Sequence, residues 1–289
     1  MATETTGWAI EQILNAAMGF QMSTAMWEGA CAGNVHWPMR SAVVCYAPTL
    51  EILRRAAAEG KTLVVSREHP FYMHGGLNYP YLTEGLEAAL KDDPVVQAKM
   101  EIVDAHKILI YRLSTAWDNF RPQAQSTALA RALGLSPIEP QPSPRSRGVI
   151  CDLRRTTLAA LAQTAYDRLR ARSPRIVGDP NAAVTRVAVL AGETDPKSGL
   201  AALIADPKID GVIAGAGGVI DEVDGALSYF QDVVGAGRGI AMLAVGYGPS
   251  EEPGGEELAR WMRSVLPDLP IEWWPAPDPS WIPRPRAGG

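Results

Sequence analysis

Apolar positions recur along this chain with two periods, and the switches between them mark out its elements. Ile10, Ile13, Leu14, Ala17 and Met18 fall on one helical face, which predicts an amphipathic helix over 8–18. "SAVVCYA" (41–47) is a short apolar run of strand type. Pro48 then suits the first turn of a helix, "PTLEILRRAAAEG", which Gly60 can close. "TLVVS" (62–66) is the next strand, so strand, helix and strand follow with short connections. That order predicts a βαβ unit with parallel strands. The pattern returns with Asp93-Pro94 opening a helix to His106, the strand "ILIYRL" (108–113) and the loop "STAWDNF" (114–120). A helix over 124–133 ends at Gly134.

"LSPIEPQPSPRSRG" (135–148) carries four prolines, which continue neither a helix nor a central strand, and reads as a stiff linker. Beyond it the alternation resumes. Helices are predicted over 157–172, 198–205, 222–234 and 256–266, and strands over 185–192, 210–216 and 239–246. The loop 247–255 precedes the last of these helices, and "PIEWWPA" (270–276) follows it. The expected fold class is α/β: two α/β halves with mainly parallel sheets flanked by helices and a cleft between them. The halves are 1–134 and 149–289, joined by the linker 135–148.

Composition narrows the function. A formal net charge of -5 and 20% charged residues argue against non-specific nucleic-acid or membrane binding, which needs basic surface. Cys31, Cys45 and Cys151 are too few and too scattered for a disulfide framework or a cysteine zinc site. The opening segment has no Lys or Arg before Arg40, unlike a secretory leader. No window reaches the roughly 18 to 20 apolar residues of a membrane span. A cytoplasmic protein acting on a small molecule is expected.

Ligands of α/β sheets bind beyond the carboxyl ends of strands, and three such ends here are rich in chemistry. "SREHPFYMH" (66–74) gathers Arg67, Glu68, His69, Tyr72 and His74, with two of the chain's four histidines. "STAWDN" offers Asp118, and "YGPSEEP" offers Tyr247, Glu251 and Glu252. Imidazoles and carboxylates from several strand ends are the nitrogen and oxygen ligands of a metal site. Each taken alone reads more simply as a solvated loop residue, and Glu251-Glu252 as a bias on the start of the next helix. "AGAGG" (214–218) follows a strand, but Ile220 stands where a dinucleotide fingerprint needs its third glycine, so a tight turn is the simpler reading. Trp273, Trp274 and Trp281 could wall a substrate, though packing in a core or against another subunit is the simpler reading.

At these three loops the sequence resembles the NGG-interacting-factor-three-like, dinuclear metal-centre proteins, some of them named GTP cyclohydrolase I type 2. That family carries His-His-Pro, then His-Thr-Asn-Leu-Asp, then Gly-His-x-x-Ser/Thr-Glu; a subgroup opens instead with His-Glu-Pro-Thr-Phe-Tyr-Asn-His. "REHPFYMH" (67–74) aligns without gaps to the subgroup form, and "DDPVVQAK" (92–99), "RIVGDP" (175–180), "SEEPGGEELARWMR" (250–263) and "PAPDPSW" (275–281) resemble its phrases. The likeness spans about 45 to 281. It implies metal ligands at Glu68, His74, Asp118 and Glu251. Arg67 stands at the first histidine, Ser114 at the histidine opening the second motif, and Tyr247 at that of the third. Sliding the first motif by one residue pairs Glu68 with His69 instead.

The resemblance implies a metal-dependent hydrolase acting on a small anionic or heterocyclic substrate. A divalent ion (Mn, Fe, Zn or Mg) would activate water in the cleft, while Arg67, Tyr247 and His69 serve the substrate. Oxygen-rich ligation favours Mn, Fe or Mg. The replacements leave room for one ion rather than two, or for none. The alternatives are a metal-free enzyme with an Arg67 clamp and a carboxylate base, and a non-catalytic binding or scaffold protein whose loop residues form an ion-pair network. The resemblance also implies a homo-oligomer, a hexamer.

Overall fold

A computed structural model describes residues 5–22, 28–71, 92–138, 147–171, 174–192, 206–215 and 229–276. The chain is α/β and divides into two compact units. The first comprises residues 1–120 and 255–276, and the second 121–254 and 277–289. The sequence reading set the division at 135–148. The units part at Phe120/Arg121, at Gly254/Gly255 and between residues 276 and 277.

The first unit is built on a sheet of order β1-β4-β3-β2-β11. Its strands are β1 (Gly29–Ala32), β2 (Ala42–Cys45), β3 (Leu63–Ser66), β4 (Leu109–Arg112) and β11 (Ile271–Trp273). The βαβ expectation holds: β2 and β3 are parallel, as are β3 and β4 and β11 and β2, while edge strand β1 is antiparallel to β4. All four residues of β2 and of β3 are buried, as strands covered on both faces must be. Helices α1 (Gly7–Met18), α2 (Leu50–Ala58) and α3 (Pro94–His106) are capped by local chemistry. The hydroxyls of Thr6 and Thr49 accept from Ala9 and Ile52 N–H, and the Asp93 carboxylate from Val95 and Val96 N–H. Pro48 thus precedes the cap of α2 rather than opening the helix. Ile52, Leu53, Ala56 and Val103 pack with Val43, Val64, Ile110 and Trp274 in one core.

The second unit's sheet has order β5-β6-β8-β9-β10-β7. Here β5 is Ser136–Pro137, β6 Val149–Thr157, β7 Arg175–Val177, β8 Ala183–Leu190, β9 Gly211–Ala214 and β10 Ala241–Ala244. Only β8, β9 and β10 run parallel to one another; β5–β6, β6–β8 and β10–β7 are antiparallel, so this sheet is mixed rather than mainly parallel. Alternation along the strands serves two faces. Val187, Val189, Ile213 and Leu243 join Leu129 of α5 (Ala124–Ala132), Leu133 at its C-cap, and Leu158 and Leu161 of α6 (Leu158–Leu169). Ala188, Val212, Met242 and Ala244 pack with Phe230 and Val233 on the opposite face. The linker reading also changes, because Ser136 and Pro137 pair with Asp152 and Cys151. The helix expected over 198–205 and most of that over 222–234 lie outside the described residues; residues 229–235 are helical.

A lysine is sealed into the first unit. Lys99 of α3 is 1% exposed, and its ammonium donates to the Pro70 carbonyl just past β3. Burial pulls its pKa down from 10.5 to about 8, against a smaller upward pull from the Cys45 thiol. Between those values the unfolded chain binds more protons than the folded one, so Lys99 makes stability rise as pH increases through that window. Cys31, raised by burial from 9.0 to about 11, works in the opposite direction at higher pH. Urea denaturation of wild type and Lys99→Met at pH 7 and pH 9 is expected to show a gain in stability with pH that is smaller in the variant.

Candidate functional site

Parallel pairing of β3 and β4, with Ser66 opposite Arg112, brings the loops after both strands out side by side. After β3 the chain turns at once. Arg67 and Glu68 N–H both donate to the Tyr46 carbonyl, at 3.1 and 2.9 Å, and the Ser66 hydroxyl donates to the Glu68 carbonyl at 2.8 Å. After β4 the segment expected to be a loop is a short helix, α4 (Thr115–Phe120), with Asp118 in its first turn. The cause is non-local. The Glu28 carboxylate, 4% exposed, accepts from Ser114 N–H at 2.9 Å and Thr115 N–H at 2.8 Å, groups that a helix start leaves without internal partners.

The two loops meet through an ion pair. Arg67 Nη1 and Nη2 donate to Asp118 Oδ1 and Oδ2 at 2.9 and 3.0 Å, a fork-to-fork pair with Arg67 5% and Asp118 9% exposed. Arg112 braces it, donating from Nε to the Arg67 carbonyl at 2.8 Å and from Nη1 to Glu28 Oε1 at 3.3 Å. Burial raises the pKa of Glu28. The Ser114 N–H, the Arg112 charge, the Thr115 N–H and the Arg67 charge pull the other way.

His69 is buried, and its Nδ1 accepts from Phe71 N–H at 3.2 Å while its ring meets Phe71 edge-on at 5.8 Å. That nitrogen closes a turn and is not presented as a ligand. Glu68 is half-buried beside it. His74 and Tyr72 lie outside the described residues.

Glu251 and Tyr247 belong to the second unit. The loop expected over 247–255 is helical, the start of α7 (Tyr247–Val265), with Pro253 inside it. Gly246, at φ 99°, makes the turn from β10 into the helix. The Ser250 hydroxyl fixes the first turn by donating to the Tyr247 carbonyl at 2.7 Å and accepting from Gly192 N–H at 2.9 Å. Glu251 is 3% exposed and accepts from Gln125 Nε2 at 2.9 Å. Its other oxygen would lie 2.2 Å from a Cβ at Gly192, so the carboxylate uses space that glycine alone leaves. The "AGAGG" glycines have the same explanation where described: a Cβ on Gly215 would stand 2.2 Å from the Gly192 carbonyl oxygen. Trp274 is core, 2% exposed beneath the Arg55 guanidinium at 3.8 Å; Trp281 lies outside the described residues.

Of the residues proposed from sequence, the structure thus joins Arg67 to Asp118. Among the described residues no three His, Cys, Asp or Glu side chains are grouped to hold a metal ion. Both Asp118 oxygens already face a permanent cation, so the residues around Asp118 do not fit a metal. Glu28 and Arg112 were missed. Arg112 had a faint signal, a charge closing an otherwise apolar strand. Glu28 had none, lying 86 positions from the helix start it caps.

The profile of Duf34/NIF3, NGG1p interacting factor 3, matches residues 10–275. The chain belongs to the DUF34/NIF3 family. Among solved structures, the fold is similar to protein SA1388 of Staphylococcus aureus, with 16% identity, TM-score 0.69 and coverage of 97% of this chain and 100% of that one. It is similar also to the NIF3-related protein of Bacillus cereus, at 15% identity, TM-score 0.67 and coverage of 97% and 100%. Protein ybgI gives 18% identity, TM-score 0.66 and coverage of 95% and 100%. At these identities the likeness concerns the fold alone. No curated protein matches the chain.

The pair makes a sharp energetic prediction. Asp118→Asn leaves the buried guanidinium without its counter-charge and is expected to cost about 3–5 kcal/mol. The double variant Arg67→Met/Asp118→Leu removes both charges and is expected to cost much less than either single one. Urea denaturation of Asp118→Asn, Arg67→Met and the double variant against wild type measures it.

Proposed function

We propose that this chain is a metal-independent member of the DUF34/NIF3 family, a non-catalytic binding or scaffold protein. In it the Arg67 guanidinium takes the place that the resemblance gives to a metal ion. The observation that carries this reading is the buried fork between Arg67 and Asp118. A guanidinium keeps its charge at every accessible pH and presents parallel donors matched to a carboxylate. It therefore neutralises Asp118 permanently, as a metal would, but offers neither an open coordination position nor an acidified water.

The metal-dependent hydrolase implied by resemblance would have to draw on Glu68, His74 and Glu251 without Asp118. Mn, Fe, Zn and Mg are the ions it would use. A second reading keeps chemistry without metal: Glu68, half-buried beside Arg67, would serve as general base for a small-molecule substrate. A cytoplasmic location, expected from the thiol content, and a homo-oligomer, hexameric by resemblance, belong to the proposal. Among the described residues no helix is long and apolar enough to cross a membrane.

Protein purified without chelator from medium supplemented with Mn, Fe and Zn is expected to carry only trace transition metal by elemental analysis. About one or more equivalents of transition metal per chain in the wild type would overturn the reading. Sedimentation of the same preparation tests the oligomer.

A further inference from the structure

The contacts around Arg67 form a closed circuit, and Glu28 closes it. Asp118 rides on α4, whose opening Ser114 and Thr115 N–H groups donate to Glu28 at 2.9 and 2.8 Å. Glu28 Oε1 also accepts from Arg112 Nη1 at 3.3 Å, Arg112 Nε holds the Arg67 carbonyl at 2.8 Å, and the Arg67 guanidinium returns to Asp118. We propose that Glu28, acting through Arg112 and through the start of α4, is the positioning residue that keeps the Arg67 guanidinium aligned on Asp118. This rests on the reading of that pair as the family site's resident cation and carboxylate.

The physical case is geometric. A fork-to-fork pair needs two parallel hydrogen bonds in one plane, so a small rotation of either partner breaks one of them. The carboxylate of Asp118 is carried by a helix of six residues, too short to hold its own orientation by internal bonding. The guanidinium of Arg67 sits at the end of a long side chain just beyond β3. Glu28 refers both partners to one buried group: it fixes the helix that bears the acid, and it orients the arginine that grips the backbone bearing the base. The same carboxylate answers a distinct need of each, two orphan amides and one guanidinium. The two amides at the start of α4 could not lose this acceptor without rearranging.

The test follows guanidinium hydrogen exchange by NMR in arginine-labelled protein. Arg67 is assigned by its loss in Arg67→Lys, and Arg186, which pairs with Asp152 in the second unit at 2.6 Å, serves as internal reference. In Glu28→Ala the Arg67 protons are expected to exchange about tenfold faster or more, with Arg186 unchanged. Glu28→Gln, which keeps an acceptor oxygen for one amide, is expected to recover part of the slow exchange. Arg112→Lys opens the circuit at another point and supplies the same readout if Glu28→Ala does not fold. Unchanged Arg67 exchange in the variants, or an equal acceleration of Arg67 and Arg186, would overturn the proposal. The outcome is separate from metal content: metal found in the wild type defeats the functional reading, whereas unaltered exchange defeats this one.

Discussion

A guanidinium taken out of water must be met by a carboxylate, because unlike an amine it cannot shed its proton to escape the cost. That constraint organises the carboxyl edge of the first sheet. Arg67 and Lys99 are both buried there, 5% and 1% exposed. Each meets the penalty of several kcal/mol per buried ion in the way its chemistry allows. Lys99 donates to a backbone carbonyl, and burial lowers its pKa to about 8. Arg67 recruits Asp118, and with it a helix, a second arginine and Glu28.

The second unit solves the opposite problem, a buried acid, by different means. Glu251 has a neutral amide from Gln125 and a gap left by glycine, with Ser250 beside it tying the helix start to the Gly192 backbone. Asp118 meets the Arg67 guanidinium, and Glu251 meets the Gln125 amide. Two acids that a motif comparison treats as equivalent ligands are thus held by different donors, a guanidinium and an amide.

The central strands were legible because their signals are local. "AVVC", "LVVS" and "LIYR" are apolar runs bounded by turn residues, and Asp93 and Pro94 announce the helix they open. What escaped depended on distant partners. Strand β6 reads as polar over "DLRRTT" because its outer half is only partly covered, and β8 supplies the pairing that makes it a strand. Helices α4 and the start of α7 were read as loops because their opening turns are fixed by Glu28 and by the contact of Ser250 with Gly192. Within the site, the alignment picked out Arg67 and Asp118. That the two would bond each other, and that Glu28 would brace them, required the third dimension. His69, conspicuous in the sequence, closes a turn with Phe71.

Strand β11 carries a consequence for the order of assembly. It pairs with β2, and Trp274 just after it enters the first unit's core, yet both follow every described strand of the second unit in the chain. As the polypeptide leaves the ribosome, the second unit's sheet has all its described strands while the first still lacks an edge. Until residues 271–274 arrive, β2 presents an unpaired row of backbone groups to its surroundings, the kind of edge that invites pairing with another chain. The first unit begins first and finishes last, so a chain stalled between the two exposes a strand edge that the finished protein covers.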